Sequence, residues 1–155
     1  MKHSILRSGL TVAFAVAIMA GMAAPAHAWD HPCSLASAAG NWGFTDSGTV
    51  VGVGPRTAVG VLTLDGNGHL LNGIATSSLN GAIYDETFSG TYTVSSNCTG
   101  TLTANIYISG ALAYTVTLNL AFDQNMQHMR GLFTSAVEPD GTSLQSVIAL
   151  DAHKQ

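Results

Sequence analysis

Residues 112–122 alternate between large apolar side chains and small or polar ones, and this alternation constrains the fold more than any other feature of the sequence. Only Ala, Thr and Asn stand between the apolar positions. Successive side chains of a β-strand point to opposite faces, so a period of two predicts a strand with one buried face. A helix with the same pattern would spread its apolar residues around its whole circumference. The apolar positions are Leu112, Tyr114, Val116, Leu118, Leu120 and Phe122.

The same period runs through most of the chain after Gly40, interrupted at short intervals by turn signals. Gly66-Asn67-Gly68 and Asn80-Gly81 suit tight hairpins because these residues tolerate positive φ angles. Between such turns the pattern predicts eight strands. The predicted strands cover 40–48, 56–65, 69–78, the segment from Asn80-Gly81 to about 95, 99–108, 112–122, 126–137 and 142–152.

Short connections favour strands that pair in sequence order. A flat eight-stranded meander would leave two exposed edges, and closure into a barrel removes them. The predicted fold is therefore all-β, a single closed eight-stranded antiparallel up-and-down barrel, with a two-sheet β-sandwich as the alternative. An outer-membrane barrel is a further alternative, although Tyr84, Phe88 and Tyr92 fall in mid-strand and not in girdles at the strand ends.

Residues 1–28 have the three parts of a cleavable export signal. Lys2 and Arg7 precede an apolar run over 10–22, and Ala26-His27-Ala28 supplies the small residues that a signal peptidase reads. The predicted organisation is a signal peptide at 1–28, an N-terminal segment at 29–39 and a barrel domain at 40–155. We expect an exported protein, periplasmic or extracellular, that does not span the membrane once the signal is removed; an uncleaved anchor is the alternative.

Cys33 and Cys98 are the two cysteines of the chain. In an oxidising compartment an isolated pair is most simply a disulfide. Two free thiols or half of a metal site are the alternatives, but the sequence has no CxxC motif to support zinc.

The charge balance excludes one class of partner. The formal net charge is −4, and Arg56, Arg130 and Lys154 are the only bases outside the predicted signal. Without a basic stripe, nucleic-acid binding has no electrostatic basis. No cofactor-binding motif occurs, so no cofactor is predicted. The oligomeric state is left open.

Two motifs carry a resemblance: the hairpin Asp65-Gly66-Asn67-Gly68, and the strand and turn from Gly90-Thr91-Tyr92 to Cys98-Thr99-Gly100. They resemble those of exported bacterial proteins of unassigned function that look like small calycin-type barrels, comparable with allene oxide cyclase barrels. The resemblance covers about residues 40–150 and implies a fold. It implies no activity, because no active-site motif of the cyclases can be matched.

Glu86 is the main candidate for a functional residue inside the barrel. It shares a strand face with Tyr84 and Tyr92, and Tyr114 is expected to point into the same lumen. An unpaired buried carboxylate is costly, so Glu86 should be neutral, hydrogen-bonded or paired, with Arg130 as the candidate partner. A structural ion pair, or a bulge that turns Glu86 outward, would give it no function.

The N-terminus left by cleavage after Ala28 is a separate candidate. Trp29-Asp30-His31 would place an amine, two amide nitrogens and an imidazole in sequence, a set that suits Cu(II) or Ni(II). His31 is the predicted metal ligand there; the alternative is a histidine that stands third in the chain by chance.

Three functions remain open at this stage, and no catalytic residue is assigned. The first is a binding protein for a small apolar or aromatic ligand held by Glu86, Tyr84, Tyr92, Tyr114 and Arg130. The second is a structural or surface-interaction protein with a filled core, and the third is an isomerase- or cyclase-type enzyme. A lumen of at least about 300 Å³ favours a ligand-binding role.

Overall fold

A computed structural model of the chain describes residues 33–155. Within them no helix has the length and apolar character that crossing a membrane requires. The predicted signal and Trp29-Asp30-His31 lie outside the described residues. The elements in chain order are α1 (Leu35–Ala38), β1 (Gly40–Val50), β2 (Gly54–Leu64), β3 (His69–Leu79), β4 (Ala82–Val94), β5 (Thr99–Ile108), β6 (Ala111–Phe122), β7 (His128–Val137) and β8 (Ser146–Lys154).

The eight strands form a closed antiparallel barrel in sequence order. Closure is made by β1 and β8, which pair from Trp42 opposite Lys154 to Val50 opposite Ser146. The prediction of an up-and-down barrel is confirmed, and the sandwich is excluded. The largest boundary error is at β8, which begins at Ser146 and not at 142.

The tight turns explain why neighbouring strands pair in this register. Asn80 and Gly81 have φ angles of 49° and 89°, and Ser109 and Gly110 have φ angles of 51° and 80°. Two consecutive positive φ angles are typical of the two-residue turn whose twist matches that of the flanking strands. These two turns lie at the same end of the barrel, here called the open end.

The inward faces carry the apolar residues, as predicted for β6 from Tyr114 to Phe122; Leu112, which lies beyond a register shift against β5, is 39% exposed instead. Val116, Leu118 and Leu120 are buried, while Asn119 between them is exposed. These residues belong to one core that continues around the barrel and includes Trp42. The side chain of Trp42 is fully buried.

The other end, called the closed end, is covered by α1. The predicted disulfide joins Cys33 to Cys98 in the turn after β4, with Cα atoms 5.0 Å apart. Trp42 donates from its indole nitrogen to the carbonyl of Ala38 at 2.9 Å, and the hydroxyl of Tyr92 donates to the carbonyl of Leu35 at 3.0 Å. The N-terminal segment is therefore fixed across one mouth of the barrel.

Candidate functional site

Five polar side chains meet inside the apolar barrel, and we call them the polar cluster. Four of them stand on four consecutive strands and are at most 8% exposed. The fifth reaches across from β6. The members are Asp46 on β1, Arg56 on β2, Ser77 on β3, Glu86 on β4 and Tyr114 on β6.

Glu86 is the centre of the polar cluster. Arg56 donates to both of its carboxylate oxygens, from Nη1 to Oε1 at 2.9 Å and from Nη2 to Oε2 at 3.1 Å. Ser77 and Tyr114 donate their hydroxyl protons to Oε1 at 2.7 Å and 3.0 Å. A two-pronged guanidinium–carboxylate pair is among the strong hydrogen bonds of proteins, and its geometry fixes both side chains.

Burial raises the pKa of both carboxyl groups of the polar cluster, but the net displacements of the two pKa values are opposite. Burial raises the pKa of Glu86, but the hydrogen bonds and charge of Arg56 outweigh it, so the pKa lies below the ordinary value. At Asp46 burial outweighs the attraction of Arg56, and the pKa is raised. Glu86 is therefore held as a carboxylate, and Asp46 is the more easily protonated of the two.

Asp46 has one oxygen that the polar cluster does not satisfy. Arg56 Nη2 lies 3.4 Å from Oδ2, whereas buried Oδ1 has no hydrogen-bond partner among the described residues. Asp46 lines a cavity of about 40 Å³ on the closed side of the cluster, with Phe88, Leu102 and other core residues around it. This volume is close to the space that one water molecule takes. The closed half of the lumen is thus almost filled by side chains.

The open half of the lumen is a cup of about 280 Å³. Its base is formed by Arg56, Glu86 and Tyr114. Its wall carries one further tyrosine, Tyr84, and one further charged residue, Glu138. The rest of the wall is mainly apolar. It includes Val50, Leu79, Ile108, Val116, Phe133, Ala136, Leu144 and Ile148.

The predicted tyrosines separate into two groups. Tyr84 and Tyr114 line the cup together with Glu86. Tyr92 lies at the closed end, where its hydroxyl donates to the carbonyls of Asp65 and Leu35 at 2.6 and 3.0 Å. Burial, with the nearby charge of Asp65, raises the pKa of Tyr92 to about 12. Tyr92 therefore holds the closed end together and does not line the cup.

Arg130 is not the partner of Glu86, and that expectation is corrected. Its side chain is 75% exposed on the outer face of β7, with Nε 3.9 Å from Oδ2 of Asp151. The sequence pattern predicts a strand that begins at Met126 and has Arg130 on the same face. In the structure Met126 has a φ of 55° in the turn before His128, so the strand alternation begins later and points Met129 inward instead.

Asp46, Arg56 and Ser77 were missed by sequence reasoning. For two of them the alternation does predict an inward side chain. Asp46 lies an even number of residues from the inward Trp42 and Phe44, and Arg56 lies an even number from Leu62. For Ser77 the alternation gives no such prediction. The register between β3 and β4 shifts between Leu70 and Gly73, so inward residues have even numbers before the shift and odd numbers after it.

The barrel is similar to solved structures but matches no family. No protein-family model matches the sequence. The curated proteins likewise give no match. The chain is similar to EF1p2_mFAP2b in its structure bound to DFHBI, with 12% identity over 77% of this chain and 94% of that chain and a TM-score of 0.52. It also matches the crystal structure of Rv2717c from M. tuberculosis, with 15% identity over 78% and 94% of the two chains and a TM-score of 0.34. The first likeness shows a shared fold alone.

Proposed function

We propose that this protein binds one small, largely apolar or aromatic molecule in the cup at the open end of the barrel. The observation that carries the proposal is a cavity of about 280 Å³ with apolar walls and a charged, hydrogen-bonded base. Ligand sites typically combine apolar walls with a few fixed polar groups, and their volumes begin at about 300 Å³. The cup is slightly smaller than this, so it suits only a small ligand.

The base of the cup favours a ligand that ends in a hydrogen-bond acceptor. A guanidinium has five N–H donors. Arg56 uses three of them, two toward Glu86 and one toward Asp46. The hydroxyl of Tyr114 donates to Glu86. The remaining donors of Arg56 would meet a carbonyl, phenolate or hydroxyl oxygen at the buried end of the ligand.

The cyclase-type alternative has less support from this geometry. A general acid or base must be able to reach the proton that it transfers. Both oxygens of Glu86 accept hydrogen bonds from the polar cluster, and its pKa is lowered by Arg56 against the effect of burial. We assign Glu86 the role of a fixed anchor that orients Arg56.

We propose further that the protein acts outside the cytoplasm, as one of the small exported barrels that its hairpin motifs resemble. The Cys33–Cys98 disulfide supports this, because such bonds persist mainly in oxidising compartments. The structure of EF1p2_mFAP2b bound to DFHBI supports the ligand-binding part, since a barrel of this fold there holds a small molecule.

The apolar walls of the cup are tested by binding of a neutral aromatic probe without an acceptor oxygen, N-phenyl-1-naphthylamine, followed by fluorescence. We expect saturable binding to one site, and its loss in Ala113→Trp, because Ala113 lines the cup. Ala121→Trp is the matched control, since Ala121 is exposed on the same strand near the closed end. Absence of saturable binding, or equal binding by both variants, would favour the structural role with a filled core.

A further inference from the structure

His128, Asp151 and His153 form a compact cluster on the outside of the barrel, near its closed end, and we call it the His–Asp–His cluster. Their candidate ligand atoms all lie within 4.8 Å of one another. The cluster is separate from the cup, which opens at the other end of the barrel. All three side chains are accessible to solvent, with exposures of 23%, 49% and 70% for His128, Asp151 and His153.

Strand pairing brings the cluster together. His128 begins β7 directly opposite His153 on β8, and the next pair on the same outer face is Arg130 opposite Asp151. Asp151 and His153 are two residues apart, so both point outward from the same strand. The barrel register alone therefore sets three ligand-type side chains side by side.

The ring geometry aims two imidazole nitrogens at one carboxylate. Nε2 of His128 lies 2.9 Å from Oδ2 of Asp151, and Nε2 of His153 lies 3.1 Å from Oδ1. The two rings are stacked, 4.3 Å apart and 9° from parallel.

The backbone around the cluster is fixed by hydrogen bonds. Asp123 Oδ1 accepts from the amides of Gln127 and His128 at 2.8 and 3.1 Å and so closes the turn before β7. The amide of Lys154 donates to the carbonyl of Gln127 at 2.9 Å. Both histidines thus stand on anchored ends of paired strands, which lowers the conformational cost of gathering ligands.

We propose that the His–Asp–His cluster binds a divalent first-row transition ion, with Zn²⁺ as the preferred occupant. Imidazole nitrogen and carboxylate oxygen are ordinary zinc ligands, at about 2.0–2.2 Å. An ion between the three side chains would take the place of the His128–Asp151 hydrogen bond and of the His153–Asp151 contact. Three protein ligands leave a coordination position for water or for an external ligand.

One neighbouring charge opposes the ion. Arg130 Nε lies 3.9 Å from Asp151 Oδ2, and a cation at that distance competes for the carboxylate. Lys154 does not add to this, because its Nζ donates to the carbonyl of Ser37 at 2.9 Å on the other side of the strand. Arg130 is 75% exposed and can turn toward solvent when an ion binds.

The test is titration of the full chain with Zn²⁺ by calorimetry, together with the absorption spectrum of the Co²⁺ form. We expect the zinc affinity of the His128→Ala/His153→Ala double variant to fall by at least about tenfold, and the Co²⁺ bands of the wild type to be lost. Arg130→Gln should instead raise the zinc affinity, by roughly threefold.

His69→Ala is the matched control. His69 pairs with Asp65 at 2.8 Å and is exposed, but that pair lacks a second histidine. Its zinc isotherm should be that of the wild type. An unchanged isotherm in the double variant, or an equal loss in His69→Ala, would overturn the proposal. So would a lower zinc affinity in Arg130→Gln, since that would make Arg130 a support and not a competitor.

Discussion

Glu86 and Asp46 compete for the guanidinium of Arg56, and the distances favour Glu86. Arg56 makes two bonds to Glu86 of 2.9 and 3.1 Å but only one of 3.4 Å to Asp46. Two hydroxyl groups support Glu86 further, while Asp46 keeps one unsatisfied oxygen. One buried cation cannot compensate two carboxylates equally, so the two acids should respond differently to substitution.

The first prediction is that Glu86→Gln destabilises the barrel by about 3 kcal/mol, because breaking a buried ion pair strands its partner. Asp46 still compensates Arg56 in part, so the loss should fall at the low end of the usual range. Asp85→Asn is the control: Asp85 is exposed on the adjacent position of β4 and should change stability by less than about 0.5 kcal/mol. Urea unfolding of both variants measures the difference; equal stabilities would contradict the ion-pair interpretation.

The second prediction concerns pH and follows from the opposite directions in which the two pKa values are displaced. The lowered pKa of Glu86 contributes stability that is present at neutral pH and lost as the pH falls through its folded pKa. The raised pKa of Asp46 has the opposite effect on stability. As the pH rises from about 3.8 through the folded pKa of Asp46, the folded protein loses stability, because a buried carboxyl must then ionise. Asp46→Asn removes only the second effect.

The free energy of unfolding of Asp46→Asn, relative to that of the wild type, should therefore increase between pH 4 and pH 7. The size of the increase reports how far the pKa of Asp46 is displaced, since a tenfold change in proton affinity corresponds to about 1.4 kcal/mol. Urea midpoints across that range provide the measurement. If the difference in unfolding free energy between Asp46→Asn and the wild type stays constant with pH, the pKa of Asp46 is not raised in the folded protein.

These residues also show where sequence reasoning reached its limit. The alternation identified Glu86 as an inward acid, because β4 runs without a shift from Glu86 to Val94 against β5. Alternation also places Asp46 and Arg56 on the inward faces of β1 and β2. Gly and Ala occupy neighbouring inward positions there, so the contrast between the apolar and polar faces of those strands is weaker. The pairing of Arg56 with Glu86 is therefore visible only in the structure.

At the scale of single elements, β6 gives the cleanest contrast between its two faces. Leu118 is 2% exposed, and its neighbour Asn119 is exposed. The third prediction is that Leu118→Asp prevents folding, since it buries an uncompensated charge in the apolar half of the lumen. Asn119→Asp should stay within about 0.5 kcal/mol of the wild type. Circular dichroism melts test both; a folded Leu118→Asp variant would contradict the assigned facing.

The closed end depends on a covalent link between distant segments. Cys33 and Cys98 are separated by 65 residues and fix α1 across the mouth of the barrel. The fourth prediction is that Cys98→Ser lowers the melting temperature by at least about 5 °C, because the disulfide constrains a long loop in the unfolded chain. Cys33→Ser should give the same loss by calorimetry, and the double variant should lose no more than either single one. Additive losses would argue against the pairing.

The strand β7 illustrates what a pattern alone cannot fix. Its residues alternate, but the register against β6 shifts between Thr117 and Leu118, and Met126 turns at positive φ before the strand starts. A shift of one residue moves every side chain to the opposite face. The existence of β7 was therefore predictable, whereas the outward position of Arg130 was not.

At the scale of the whole molecule, the two ends of the barrel differ in what they can do. The closed half is packed around a cavity of about 40 Å³, and the open half keeps a cup of about 280 Å³. Eight alternating strands with short turns were enough to predict closure. They do not determine how far side chains fill the lumen, because that depends on the polar cluster and on loops such as 138–145 that carry no alternation.

The two proposed sites lie at opposite ends, so their ligands should stabilise the protein independently. A ligand that binds only the folded state at a hundred times its dissociation constant adds about 2.7 kcal/mol. The last prediction is that N-phenyl-1-naphthylamine raises the melting temperature of the wild type and of His128→Ala/His153→Ala equally, while Zn²⁺ does so for the wild type and Ala113→Trp. Together the two increases should add, as expected for sites without shared contacts. If the probe still raises the melting temperature of Ala113→Trp, it does not bind in the cup. If Zn²⁺ still raises the melting temperature of the histidine double variant, it does not bind at the His–Asp–His cluster. Either result leaves the other site untouched.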